Sequence, residues 1–131
     1  MKIEITFNDN KKVNANINGH IVNTDQSQEA GGDNTAPTPY ELFLASLGTC
    51  SGIFIKFYCD KRNIPADKIK IIQKTEFDKL THLASKISFE IQLPSDFPKE
   101  HIEAIKNAAA VCKVKKQLQS PPQFEITTTI K

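Results

Sequence analysis

A chain of 131 residues with 39% hydrophobic and 24% charged content has the size and balance of one globular domain, expected to span 1–131. A net charge of +2, with Arg62 as the only arginine, argues against a nucleic-acid partner, because bidentate phosphate and base readout favours arginine. The N-terminus lacks a signal-peptide apolar core, no apolar run is expected to reach membrane-span length, and three cysteines, an odd number, read as reduced cytoplasmic thiols.

The first 24 residues fit three short strands. Residues 2–7 alternate, Asn8-Asp9-Asn10 turns, residues 13–17 alternate more weakly, and Asn18-Gly19 is a hairpin signal before His20-Ile21-Val22. Residues 24–37, rich in Gln, Gly, Asp, Asn and Pro, read as a plain flexible loop in preference to an anion nest at Gly31-Gly32. A helix then has a defined start. Thr38 fits an N-cap, Pro39 the first helical position, and Glu41 completes a Thr-x-x-Glu capping box. Leu42, Phe43, Leu44, Leu47, Ile53, Phe54, Ile55 and Phe57 cover most of its circumference, which predicts burial on most sides. Residues 60–63 return the chain to water, and Pro65 stops the helix.

Two strands follow, at about 68–77 and 85–93. A second helix spans 99–111 with Ile102, Ile105 and Ala109 on one face, and a short helical turn covers 113–118. Pro121-Pro122 breaks the turn, and residues 124–130 read as a last strand. The order β-β-β-α-β-β-α-β makes an α+β fold, with strands wrapping two helices.

Two thiols carry the chemical signal. Cys50 lies deep in the first helix among Ser46, Gly48, Thr49, Ser51 and Gly52. Cys112 follows Ala108, Ala109 and Ala110, where the apolar helix gives way to lysines and a thiol can be partly accessible. Small neighbours let helices approach closely or leave room beside a sulfur. Taken alone, each cysteine reads either as a small core residue or as a reactive thiol. A buried thiolate needs a positive source, for which Lys113, Lys115, Lys116, other strand lysines and a helix N-terminus all qualify. Cys59, nine residues after Cys50, falls about 180° around the helix and reads as core packing. Glu41, nine residues before Cys50, is explained by the capping box and stays a candidate site carboxylate. His20, His82 and His101 have no ligand spacing with the cysteines, so neither a metal nor another cofactor is expected.

The segment Gly31-Gly32-Asp-Asn-Thr-Ala-Pro-Thr-Pro-Tyr-Glu-Leu42, the small-residue run into Cys50, the strand order and Cys112-x-Val-x-x-x-Leu118 together resemble the OsmC/Ohr family, nearest its OsmC-like branch. The resemblance implies an intertwined homodimer with two sites at the subunit interface. It also implies that Cys50 attacks a hydroperoxide and that Cys112 resolves the sulfenic acid as a disulfide. The expected function is a thiol-dependent peroxidase-like oxidoreductase acting on organic hydroperoxides and recycled by a dithiol reductant, without nucleic acid or membrane partners. The competing reading is a non-enzymatic module of the same fold that binds a small apolar or thiol-reactive ligand. The peroxidase branches hold their thiolate with an arginine from the N-terminal strand region, where this chain has no arginine and Lys11 and Lys12 are the nearby cations. They also place a glutamate directly after the helix-opening proline, where this chain has Tyr40, with Glu41 one residue later.

Overall fold

Alternation at the N-terminus forms an antiparallel meander in the computed structural model, which describes residues 1–131. Strands β1 (Ile3–Phe7), β2 (Val13–Ile17) and β3 (His20–Thr24) pair in the order β1-β2-β3. Asn18 and Gly19 both have positive φ, 51° and 87°, the combination a tight type I′ hairpin requires. The register puts Ile3, Ile5 and Phe7 of β1 opposite Ile17, Ala15 and Val13 of β2, so one face of the sheet is apolar. Much of it is uncovered: Ile5 is 53% and Phe7 82% exposed.

The connection at 25–37 is ordered, contrary to the expected flexible loop. The Asp25 side chain is fully buried and accepts hydrogen bonds from the Thr35 hydroxyl (2.7 Å), the Thr35 N–H (3.0 Å) and the Gln26 N–H (2.8 Å). A 3₁₀ turn at Gln28–Ala30 is capped by Ser27. Gly32 is buried so closely against the Gln26 backbone that a Cβ there would collide with it. Local composition signals a loop, but the ties that order it span ten residues.

These bonds, the Thr35 hydroxyl first, hold the Asp25 carboxyl well below the usual carboxylate range. Its folded-state pKa lies below the unfolded value. Its stabilising contribution is therefore complete above about pH 4 and is lost as pH falls towards the folded value. Asp25→Asn is expected to lower the thermal midpoint at neutral pH and to flatten its fall between about pH 4 and pH 2.5. Thermal midpoints with the same acid slope in both proteins would contradict this.

Helix α1 (Pro39–Lys61) opens as the sequence dictates. The Glu41 N–H donates to Thr38 Oγ1 (3.2 Å) and the Thr38 N–H donates to Glu41 Oε1 (3.1 Å). The chain divides within this helix into two compact units, Met1–Ala45 and Ser46–Lys131. The expected burial on most sides is not found. Only the i, i+4 stripe Leu47, Ser51, Ile55 and Cys59 is buried, while Ile53 and Phe57 are 44% and 52% exposed. By length and composition alone α1 is apolar enough to cross a membrane, which corrects the expectation that no run approaches that length. No charge interrupts residues 42–55, and the small residues among them lower the hydropathy only slightly.

In the second unit, β4 (Lys70–Phe77) and β5 (Ala84–Gln92) form an antiparallel pair. Ile71 pairs with Ile91, Gln73 with Phe89 and Thr75 with Ile87, giving one half-buried face. Pro98 opens a 3₁₀ turn at Lys99–His101, which leads into α2 (Ile102–Ala110). Ile55, Cys59, Ile64, Phe97, Ile105 and Ala109 form the core of this unit. Helix α3 (Lys113–Gln119) follows after two residues. The expected strand at 124–130 is absent: residues 121–131 carry no regular structure, and Phe124, Ile126 and Ile130 are almost fully exposed. A strand needs a neighbour's backbone, and this tail pairs with none within its own chain.

Candidate thiol site

Cys50 and Cys112 come together in the second unit. Helix α1 carries Cys50 two residues beyond Gly48, where a Cβ would lie 2.5 Å from the Gln73 side chain and 3.9 Å from the Phe89 ring. The missing side chain lets β4 and β5 lie close against the helix beside the thiol. On the other side, α2 ends at Ala110 and the chain extends. Val111 (φ −80°, ψ 91°) turns outward, 44% exposed, and Cys112 turns inward, 1% exposed. Cys112 is the N-cap of α3, its Sγ accepting the Lys115 N–H at 3.4 Å.

Accessibility is the reverse of the sequence expectation. Cys50 is half-buried and Cys112 is buried. The difference is tertiary: Cys112 Sγ packs 4.0 Å from the Leu47 carbonyl, 65 residues away in sequence. Both thiols, like Cys59, are unbridged.

Several groups favour the charged form of Cys50. The Val114 N–H hydrogen bond contributes most, and the Cys112 thiol, the Lys113 N–H and the charge of Lys115 add to it. Together they outweigh the opposing cost of burial and bring the Cys50 thiol below its ordinary pKa. A single S–H cannot serve two acceptors at once. A Cys112 thiol that donates to the Cys50 thiolate gives up its contact with the Leu47 carbonyl, which at 4.0 Å is already at the limit for sulfur.

The other candidates are placed differently. Glu41 lies in the first turn of α1, its carboxylate engaged by the Thr38 N–H. Cys59 is fully buried in the core, and burial, with the charge of Asp60, pushes its thiol up. Lys12 of the N-terminal region is ion-paired with Asp33 and Asp9. The sole arginine, Arg62, stacks 3.7 Å over the Tyr58 ring and donates to the Tyr58 carbonyl. His101 Nδ1 is 2.6 Å from the Tyr58 hydroxyl, and no group of three or more His, Cys, Asp or Glu side chains is placed to hold a metal ion.

Four residues in and around the site escaped the sequence. The amides of Lys113 and Val114 carry no side-chain signal at all. Phe89 reads as one more core-facing residue of an alternating strand. Ser51, adjacent to Cys50, is 1% exposed with its hydroxyl unpartnered, and in the sequence it is only one of several small residues.

Comparison with known proteins places the fold and the family of the chain. The family model described as OsmC-like protein matches residues 31–127. An osmotic stress induced and detoxification response protein from Psychrobacter arcticus has a TM-score of 0.76 at 17% identity, over 89% of this chain and 87% of its own. A hypothetical protein from Aquifex aeolicus has a TM-score of 0.71 at 16% identity, over 92% and 87%. The organic hydroperoxide resistance protein OsmC from Legionella pneumophila has a TM-score of 0.55 at 16% identity, over 90% and 88%. No curated protein sequence matches significantly. With its α+β fold, its family match and these structural relatives, the chain belongs to the OsmC/Ohr family.

Proposed function

We propose that the protein is a thiol-dependent peroxidase-like oxidoreductase that reduces organic hydroperoxides through Cys50 and Cys112. The observation that carries this reading is the pairing of a buried Cys112 with a half-buried Cys50, whose thiolate is favoured by the N–H groups of Val114 and Lys113 and by the neighbouring Cys112 thiol. The Cys50 thiolate attacks the distal peroxide oxygen and the O–O bond breaks. The departing alkoxide takes a proton to become an alcohol, and Cys50 becomes a sulfenic acid. Cys112 sulfur then attacks Cys50 sulfur, water leaves with the Cys112 proton, and a disulfide remains. A dithiol reductant restores both thiols by exchange. A recess of about 220 Å³ is lined by Phe89, Ile91, Leu93, Ile102, Ile105 and Lys106; it shares Phe89 with the approach to Gly48 and offers apolar surface suited to an organic peroxide substituent. The hydroperoxide resistance named for the Legionella relative points the same way.

Stopped-flow oxidation with thiol counting tests this reading. Cumene hydroperoxide is expected to consume two thiols per chain at least about tenfold faster than hydrogen peroxide does. Equal rates, or no loss of thiols, would overturn it. The second outcome would favour a binding module of the same fold, a reading that rests on Arg62 being held at Tyr58 rather than beside Cys50.

The working form is proposed to be an intertwined homodimer. The support is apolar surface that one chain leaves bare: Phe7 and Ile5 on the meander, Ile53 and Phe57 on α1, and Phe124, Ile126 and Ile130 on the tail.

A further inference from the structure

Three lysines cluster at the start of α3, and they are not equivalent. Lys113 and Lys116 are exposed, whereas Lys115 is half-buried. Its ammonium lies 4.7 Å from the centroid of the Phe89 ring. That ring in turn reaches the α1 backbone at Gly48, two residues before Cys50. The backbone N–H of the same lysine donates to Cys112 Sγ at 3.4 Å. The ion pairs of the chain join Lys2 to Glu4, Lys12 to Asp9 and Asp33, and Lys56 to Asp60, so no carboxylate neutralises Lys115.

We propose that Lys115, seated on the Phe89 ring, is the positioning cation of the thiol pair, stabilising the Cys50 thiolate through space while its backbone N–H fixes the Cys112 sulfur. An ammonium over an aromatic face is held by the ring quadrupole with its stem packed and its charge only partly hydrated. A unit charge in such a partly desolvated place acts on a nearby thiolate several-fold more strongly than one in bulk water. Among the groups that shift Cys50 most, Lys115 supplies a net charge and Cys112 a second titratable side chain. The N-terminal meander need not contribute an arginine to such a site, and Lys12 is already paired elsewhere. The role deepens the peroxidase reading by supplying its activating charge, but the thiolate can be titrated without any peroxide.

The test is the pH profile of iodoacetamide labelling at Cys50 in the reduced, folded chain, followed by peptide mass mapping. Lys115→Gln is expected to shift the profile to higher pH and to slow labelling at pH 7 by about three- to tenfold. Lys115→Arg is expected to restore the wild-type profile, and Phe89→Leu to shift it in the direction of Lys115→Gln by a smaller amount. Lys116→Gln removes the same charge from an exposed position and is expected to leave the profile in place. A Lys115→Gln profile that superimposes on wild type would overturn the proposal, as would an equal shift in Lys116→Gln. An unmoved Phe89→Leu profile would overturn the seat on the ring. A shifted Lys115→Gln profile in a protein that consumes no peroxide would sustain the cation and remove the peroxidase reading alone.

Discussion

Cys50→Ser is expected to reduce peroxide consumption to the uncatalysed background, whereas Cys112→Ser is expected to complete one oxidation per chain and stop at the sulfenic acid. The asymmetry follows from where the two sulfurs lie. Cys50 is the accessible one and carries the lowered pKa, so the first oxygen transfer depends on it. Cys112 is 1% exposed, held by the Lys115 N–H, and faces Cys50 rather than solvent, a position suited to attacking the oxidised sulfur once it has formed. With serine at 112 nothing condenses with the sulfenic acid, and dimedone should trap it at one adduct per chain on the Cys50 peptide. Full activity in Cys50→Ser, or an adduct on Cys59, would contradict this assignment.

Deleting residues 121–131 is expected to convert a dimer into a monomer. Phe124, Ile126 and Ile130 are 88%, 93% and 103% exposed, and they alternate with polar residues as one face of a strand does. Burying such side chains contributes roughly 1.5–3 kcal/mol each, so losing three of them together with any backbone ladder they bring removes an amount comparable to the cost of association. Light scattering at micromolar concentration is expected to give twice the chain mass for the full protein and one chain mass for the truncated form. A monomeric full-length chain with native circular dichroism would remove the homodimer.

Elements whose causes lie within a few residues were legible in the sequence. The Asn18-Gly19 turn, the Thr38–Glu41 capping box and the stop after Lys61 each rest on local chemistry, and strand β2 begins and ends where its alternation does. Elements whose causes lie far away were not. The 25–37 segment looks like open loop until Asp25 meets Thr35, and the tail looks like a strand because its pattern carries no information about whether a partner backbone is present. The thiol pair itself was legible through the family resemblance, but the relative exposure of its members was not. Burial of Cys112 depends on packing near the Leu47 carbonyl, and exposure of Cys50 depends on which stripe of an almost uniformly apolar helix faces the core. Lys115 stood out from its neighbours only once Phe89 lay beneath it.

Mass mapping of the wild-type protein after treatment with one equivalent of cumene hydroperoxide tests the shared role of Cys50 and Cys112 most directly. A disulfide can close only where the two α-carbons come within about 7 Å. The account predicts a single intramolecular bridge between Cys50 and Cys112, with Cys59 still a free thiol. A bridge that includes Cys59, or oxidation that leaves Cys50 and Cys112 unlinked, would contradict it.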